Sequence, residues 1–156
     1  CPFEGKVSVK RVVALTEKLL KLGVYEVSVS DTIGVATPKQ VHEVLKTLLN
    51  HVDVSQVALH FHDTRGTALA NIVAALDYNI STFDASLGGL GGCPYAKGAA
   101  GNVATEDVVY LLHRMGLKTG VDLNQLIEIN HWMQGLLQRG LPSRLGRAGN
   151  WSTPTQ

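Results

Sequence analysis

Three short runs rich in β-branched and aromatic residues, VYEVSVSD, SQVALHFH and ISTFDAS, are separated by stretches with helical periodicity. No other feature constrains the fold as much. Strand, helix and strand joined by short links imply parallel strands with right-handed crossovers. The first helix starts after Ser8 as its cap, carries Val9, Val12, Val13, Thr16, Leu19 and Leu20 at helical spacing, and stops at Gly23. A strand is expected from about Val24 to Ser30. The second helix opens with Thr37 and Pro38, since proline suits the first turn, and buries Val41, Val44, Leu45, Leu48 and Leu49. The third carries Ala68, Leu69, Ile72, Val73 and Leu76 and ends near Asn79. A glycine-rich loop from Leu87 to Gly101 follows ISTFDAS. Two further helices are expected, from about Thr105 to Met115 and Asp122 to Leu137. The last stretch, LPSRLGRAGNWSTPTQ, is turn-rich and polar and reads as a loose tail. This divides the chain into a domain over 1–140 and a flexible tail over 141–156.

An open doubly wound sheet and an eight-stranded barrel both fit this order. A complete (βα)8 barrel takes about 250 residues, so a chain of 156 would supply fewer than half its strands. CPFEG, the opening stretch, reads like the middle of a longer sequence. The formal net charge of +1 gives no reason to expect a nucleic acid or membrane partner. No apolar run approaches the roughly 20 residues of a bilayer span, and no secretory signal opens the chain. Cys1 and Cys93 do not make a disulfide framework. A reduced, cytoplasmic setting is the expectation.

The chemistry-bearing residues stand where the strands end. Side chains alternate along a strand, so His60 and His62 point to one side while Val57, Leu59 and Phe61 point to the other. Parallel α/β folds gather their chemistry at the C-terminal strand ends. Two imidazoles on one face, followed by Asp63 and Thr64, suit metal ligation or acid–base work; the plainer alternative is two polar residues satisfied locally. The first strand closes with Asp31, Thr32 and Gly34, and Asp31 is equally suited to an ordinary turn. The third leads into GLGGCPYAKGAAGN. Cys93, between Gly91-Gly92 and Pro94, has no core side to hide in, and a thiol there is a candidate acid or base. The loop matches neither GxGxxG nor a Walker pattern, which argues against a nucleotide phosphate cradle. Asn102 is either a cap residue or a neutral oxygen ligand. Two imidazoles and an amide oxygen suit Mg²⁺ or Mn²⁺, and zinc less well.

Taken together, HFHDT, DTIGVATP and GLGGCPYAKGAAGNVATEDVVYLL resemble the 3-hydroxy-3-methylglutaryl-CoA lyase family over nearly all of residues 1 to 138. The cysteine loop is the most specific element. HxHD alone is shared with other metal-dependent barrel enzymes; the related isopropylmalate and homocitrate synthases resemble the chain around the histidines but usually carry Asn after the second one and lack the GGCPYA loop. The resemblance implies a (βα)8 TIM barrel of which this chain holds about strands six to eight, with a divalent cation at the C-terminal face. It implies His60, His62 and Asn102 as metal ligands. His60 would also transfer protons, Cys93 would serve as the acid on a lid loop, and Asp31 would stand near the metal as a catalytic residue that supports base or substrate. Ser28 and Thr32 would line the substrate site. Glu106 and Asp107 match the family's helix start, where a favourable helix-dipole interaction suffices to explain them. The implied substrate is an acyl-CoA and the implied assembly of the intact protein a homodimer.

Ser30 departs from the glycine usual before the Asp-Thr pair. The aspartate and arginine expected from the first barrel strand are not in this chain, so residues 1–156 alone are expected to lack lyase activity. The competing expectations are a related barrel lyase, aldolase or acyl-CoA condensing enzyme, and a non-catalytic truncated fragment.

Overall fold

The computed structural model describes residues 3–92 and 101–151, which form two compact units. The described part of the first covers residues 3–84 and Gly92; that of the second covers 85–91 and 101–151.

In the first unit, helices and strands alternate as α1 (Val9–Lys21), β1 (Val27–Asp31), α2 (Pro38–Leu48), β2 (Val57–Phe61), α3 (Ala68–Leu76) and β3 (Thr82–Asp84). The strands form one parallel sheet in the order β1-β2-β3, as the alternation requires. Local signals set the helix starts. Ser8 has extended backbone and accepts a hydrogen bond from the Arg11 amide. Thr37 begins a capping box with Gln40, whose Oε1 accepts from the Thr37 amide at 3.0 Å. Pro38 occupies the first turn, where its missing N–H costs nothing.

The core of this unit lies where α2 and α3 meet the middle strand. Leu45, Leu48 and Ile72 are fully buried, and β2 contributes Val57, Leu59 and Phe61. Each such side chain contributes about 1.5–3 kcal/mol of transfer free energy. The first strand starts at Val27 rather than Val24. Its partner β2 begins only at Val57, because Val54–Gln56 form a 3-10 turn capped by Asp53. Tyr25 lies outside the ladder and is 87% exposed.

The second unit contains a 3-10 turn (Leu87–Gly89) and helices α4 (Thr105–Arg114), α5 (Leu123–Leu137) and α6 (Arg144–Ala148). Val109, Leu123, Ile127 and Leu145 form its apolar cluster. Two carboxylates at the start of α4 organise the rest. Glu106 is fully buried; its oxygens accept from the Gly88 amide at 2.9 Å and from Asn130 Nδ2 at 2.7 Å. Asp107 accepts from Ser143 Oγ at 2.9 Å and from the amides of Arg144 and Leu145 at 3.0 and 2.8 Å. The helix dipole alone is therefore not a sufficient account of either residue.

These contacts give residues 141–148 a fixed place where a loose tail was expected. Leu141, Ser143 and Leu145 are buried, and Ser143 caps α6 by accepting from the Gly146 amide. Turn-rich composition hid a segment whose order comes from long-range hydrogen bonds. Among the described residues no helix is long and apolar enough to cross a membrane.

Candidate active site

The sheet register decides which strand residues share a face. Ser30 aligns with His60, and His60 with Asp84; Ser28 aligns with Ala58, and Ala58 with Thr82. Parallel neighbours in register point the same way. Ser28, Ser30, His60 and Asp84 therefore share one face, and His62 continues it. The imidazoles of His60 and His62 lie with ring centroids 5.1 Å apart at 59°, so the pair expected from alternation is present. His62 is 6% exposed, and its Nδ1 is buried with no hydrogen-bond partner. Its pKa lies below 6.5, first because burial penalises the charged ring and second because His60 is a like charge; Asp31 opposes the shift. A buried neutral imidazole with an unmatched lone pair or N–H is costly unless something binds it.

Asp84 also stands beside the pair, a residue that the pattern of the sequence did not single out. Its Oδ2 accepts a 2.6 Å hydrogen bond from Ser28 Oγ and stands 3.8 Å from His60 Nδ1. The alternation within TFDAS places Asp84 with Thr82, but only the register shows that this face is the histidine face.

Asp31 has hydrogen bonds of its own in the turn that follows its strand. It aligns with Phe61, on the face opposite His60. Its oxygens accept from the amides of Val35 and Ala36 at 3.0 and 2.9 Å. Asp31 thus ties down the turn leading to α2, and its charge also acts on His62. Thr32 is exposed within that turn. Gly34 has φ +62°, and a Cβ there would come within 2.9 Å of the Thr64 side chain. Two strand-end loops can approach this closely because the position is glycine. Arg65 fastens them, donating to the carbonyls of Ile33 and Gly34 at 3.0 and 3.1 Å.

In the second unit, Asn102 donates from Nδ2 to the Leu90 carbonyl at 2.8 Å, which fixes the amide and leaves Oδ1 as its accepting atom. Gly91 and Gly101 frame it. A Cβ at Gly101 would collide with the Gly91 carbonyl oxygen, and one at Gly91 would lie 2.8 Å from Asn102 Nδ2. The glycines thus let the two ends of the cysteine loop come together. Gly92 is exposed, while Cys93 and Pro94 lie outside the described residues.

Among the described residues no three or more His, Cys, Asp or Glu gather closely enough to hold a metal ion. Two adjacent imidazoles, one with a buried unpartnered Nδ1, do fit a divalent cation as part of a ligand set. The neutral ring favoured by burial is the ligating form.

Comparison with known proteins places this arrangement. The HMGL-like family model matches residues 1–133. The chain belongs to the HMGL-like family. It is 52% identical over 144 residues to hydroxymethylglutaryl-CoA lyase YngG of Bacillus subtilis, covering 92% of this chain and 48% of that protein. With the human mitochondrial hydroxymethylglutaryl-CoA lyase it shares 45% over 148 residues, 95% of this chain and 46% of that one. The crystal structure of the Bacillus subtilis HMG-CoA lyase superposes with a TM-score of 0.92 at 51% identity, over 95% of this chain and half of the other. An Acinetobacter baumannii HMG-CoA lyase in complex with coenzyme A and 3-methylmalate also gives 0.92, at 44% identity, covering all of this chain and 51% of that one. The chain spans about half the length of the curated relatives it matches. The HMGL-like family and these structures indicate a TIM-barrel-type α/β fold, of which the three parallel strands are a part.

Proposed function

We propose that the protein carrying this sequence is a divalent-cation-dependent lyase that cleaves 3-hydroxy-3-methylglutaryl-CoA into acetyl-CoA and acetoacetate. The observation that supports this most is the His60–His62 pair on one sheet face, with a buried unpartnered Nδ1 on His62, in a member of the HMGL-like family. The relatives named above are hydroxymethylglutaryl-CoA lyases, and one is solved with coenzyme A. The three strands are read as the sixth, seventh and eighth of a barrel, and residues 1–140 as part of its lyase domain. The partner is an acyl-CoA, the intact protein a homodimer, and its setting the cytoplasm.

His60, His62 and Asn102 would hold Mg²⁺ or Mn²⁺, Asn102 through Oδ1. When bound, the cation lowers the pKa of the substrate's tertiary hydroxyl and polarises the ketone that forms. The resemblance also gives His60 a part in moving the hydroxyl proton, which leaves the substrate as the carbonyl forms. The carbon–carbon bond breaks, and its electron pair passes to the α-carbon of the departing thioester as an enolate. Cys93 donates the proton that converts that enolate to acetyl-CoA. Each proton transfer is typically worth about 10²–10⁴-fold. The chain alone lacks the aspartate and arginine of a first barrel strand, so residues 1–156 by themselves are inactive.

The test is Cys93→Ala in the intact protein. Turnover of 3-hydroxy-3-methylglutaryl-CoA should fall by about 10²–10⁴-fold with Mn²⁺ affinity unchanged. Near-normal turnover would remove the thiol from the mechanism. Higher efficiency on another 3-hydroxyacyl-CoA or a 2-oxo acid would move the assignment to a related lyase or aldolase.

A further inference from the structure

The Ser28–Asp84–His60 chain spans all three strands on one sheet face. Ser28 is on β1, Asp84 on β3 and His60 on β2 between them. The hydroxyl of Ser28 reaches Asp84 across Ala58, whose methyl is small enough to leave room above the middle strand. The 2.6 Å hydrogen bond holds Oδ2 of a carboxylate that is half exposed and would otherwise sample several rotamers. That same oxygen stands 3.8 Å from His60 Nδ1.

We propose that Asp84, held by Ser28, is a positioning residue that fixes His60 as the Nδ1–H tautomer and leaves Nε2 as the ring's working lone pair. The chemistry is general. An imidazole has one N–H and one lone pair when neutral, and the partner of one nitrogen decides which nitrogen carries which. A carboxylate accepts only, so the nitrogen facing it must be the donor. Carboxylates play this part behind histidine ligands and behind histidine bases alike. The 3.8 Å separation is longer than a hydrogen bond, and the charge of the carboxylate favours the tautomer whose N–H points toward it. The sheet supplies the geometry without any loop: the register that aligns Asp84 with His60 also aligns Ser30 with both. Ser28 then serves the carboxylate.

The inference deepens the lyase reading and rests on it for its purpose, but its test does not. The side-chain ¹⁵N signals of the metal-free intact protein, recorded at alkaline pH, report which ring nitrogen bears hydrogen. His60 should show a protonated Nδ1 and an unprotonated Nε2, the reverse of the tautomer that imidazole prefers in water. Asp84→Ala should return His60 toward the Nε2–H form, Ser28→Ala should do so in part, and His62 should be unchanged in both. In the intact protein, Asp84→Ala should also weaken Mn²⁺ binding by about 10–100-fold, measured from the free Mn²⁺ resonance. A wild-type His60 found as Nε2–H would overturn the proposal without any variant being needed. So would an Nδ1–H tautomer that persists in Asp84→Ala. Loss of lyase activity as a reading would leave the tautomer result standing, and a failed tautomer result would leave the lyase reading untouched.

Discussion

Removing the Glu106 side chain should cost more stability than any surface change in this chain. Glu106 is wholly buried, and it accepts from the Gly88 amide and from Asn130 Nδ2, itself on a wholly buried residue. Glu106→Ala strands both donors. A buried donor left without a partner costs about 1–3 kcal/mol, more when the lost acceptor is charged. Two such donors give roughly 2–6 kcal/mol, and the space vacated by the side chain adds to it. Gly88 has φ +61° and no room for a Cβ beside Leu141, so the turn has little freedom to find another acceptor. With a urea slope of about 1–3 kcal/mol per molar, a loss near 4 kcal/mol moves the unfolding midpoint down by more than about 1 M. Urea melts followed by far-UV circular dichroism measure it, and hydrogen exchange at the Gly88 amide reads the individual bond. Glu106→Gln keeps one acceptor oxygen and should lose less than half as much. A midpoint shift under about 0.3 M for the alanine variant, or unchanged protection at Gly88, would refute the hydrogen-bond reasoning.

Two further outcomes follow from the first unit. Asp31→Asn weakens a charged acceptor for two amides, so stability should drop by about 1–3 kcal/mol, with the largest amide shift changes at Val35 and Ala36; an unchanged melt and unchanged shifts there would contradict its role in the turn. His62 has a folded pKa below the reference 6.5, so the unfolded chain binds the extra proton first. Its contribution to stability is complete above about pH 6.5 and is lost as pH falls through the folded value. The melting temperature should therefore decline below about pH 6.5, and His62→Asn should lessen the decline. A variant with the same decline as the parent would show that other groups produce it.

What was legible in the sequence was local. Ser8 and Thr37-Pro38 marked helix starts that the structure bears out, because caps are written in neighbouring residues. The shared face of His60 and His62 followed from alternation alone. The parity of VSVSD also sets Asp31 apart from Ser28, yet the meaning of that split depends on which face carries the histidines. Asp84 could not be recognised without the alignment of three strands, which is a property of the sheet rather than of any segment. Glu106, Asp107 and the segment from Leu141 to Ala148 share the same difficulty. Their partners lie 18 to 38 residues away, as Gly88, Asn130, Ser143 and Leu145 show. Nothing in LPSRLGRAG announces that two carboxyl oxygens elsewhere hold it.

The central claim is that His60 and His62 donate ring nitrogens to a divalent cation. Electron spin-echo envelope modulation of the intact protein loaded with Mn²⁺ reads directly bound imidazole nitrogens without reference to turnover. The account predicts modulation from two such nitrogens in the parent and from one in either His60→Ala or His62→Ala. Modulation from none, or a spectrum that neither substitution alters, would contradict it.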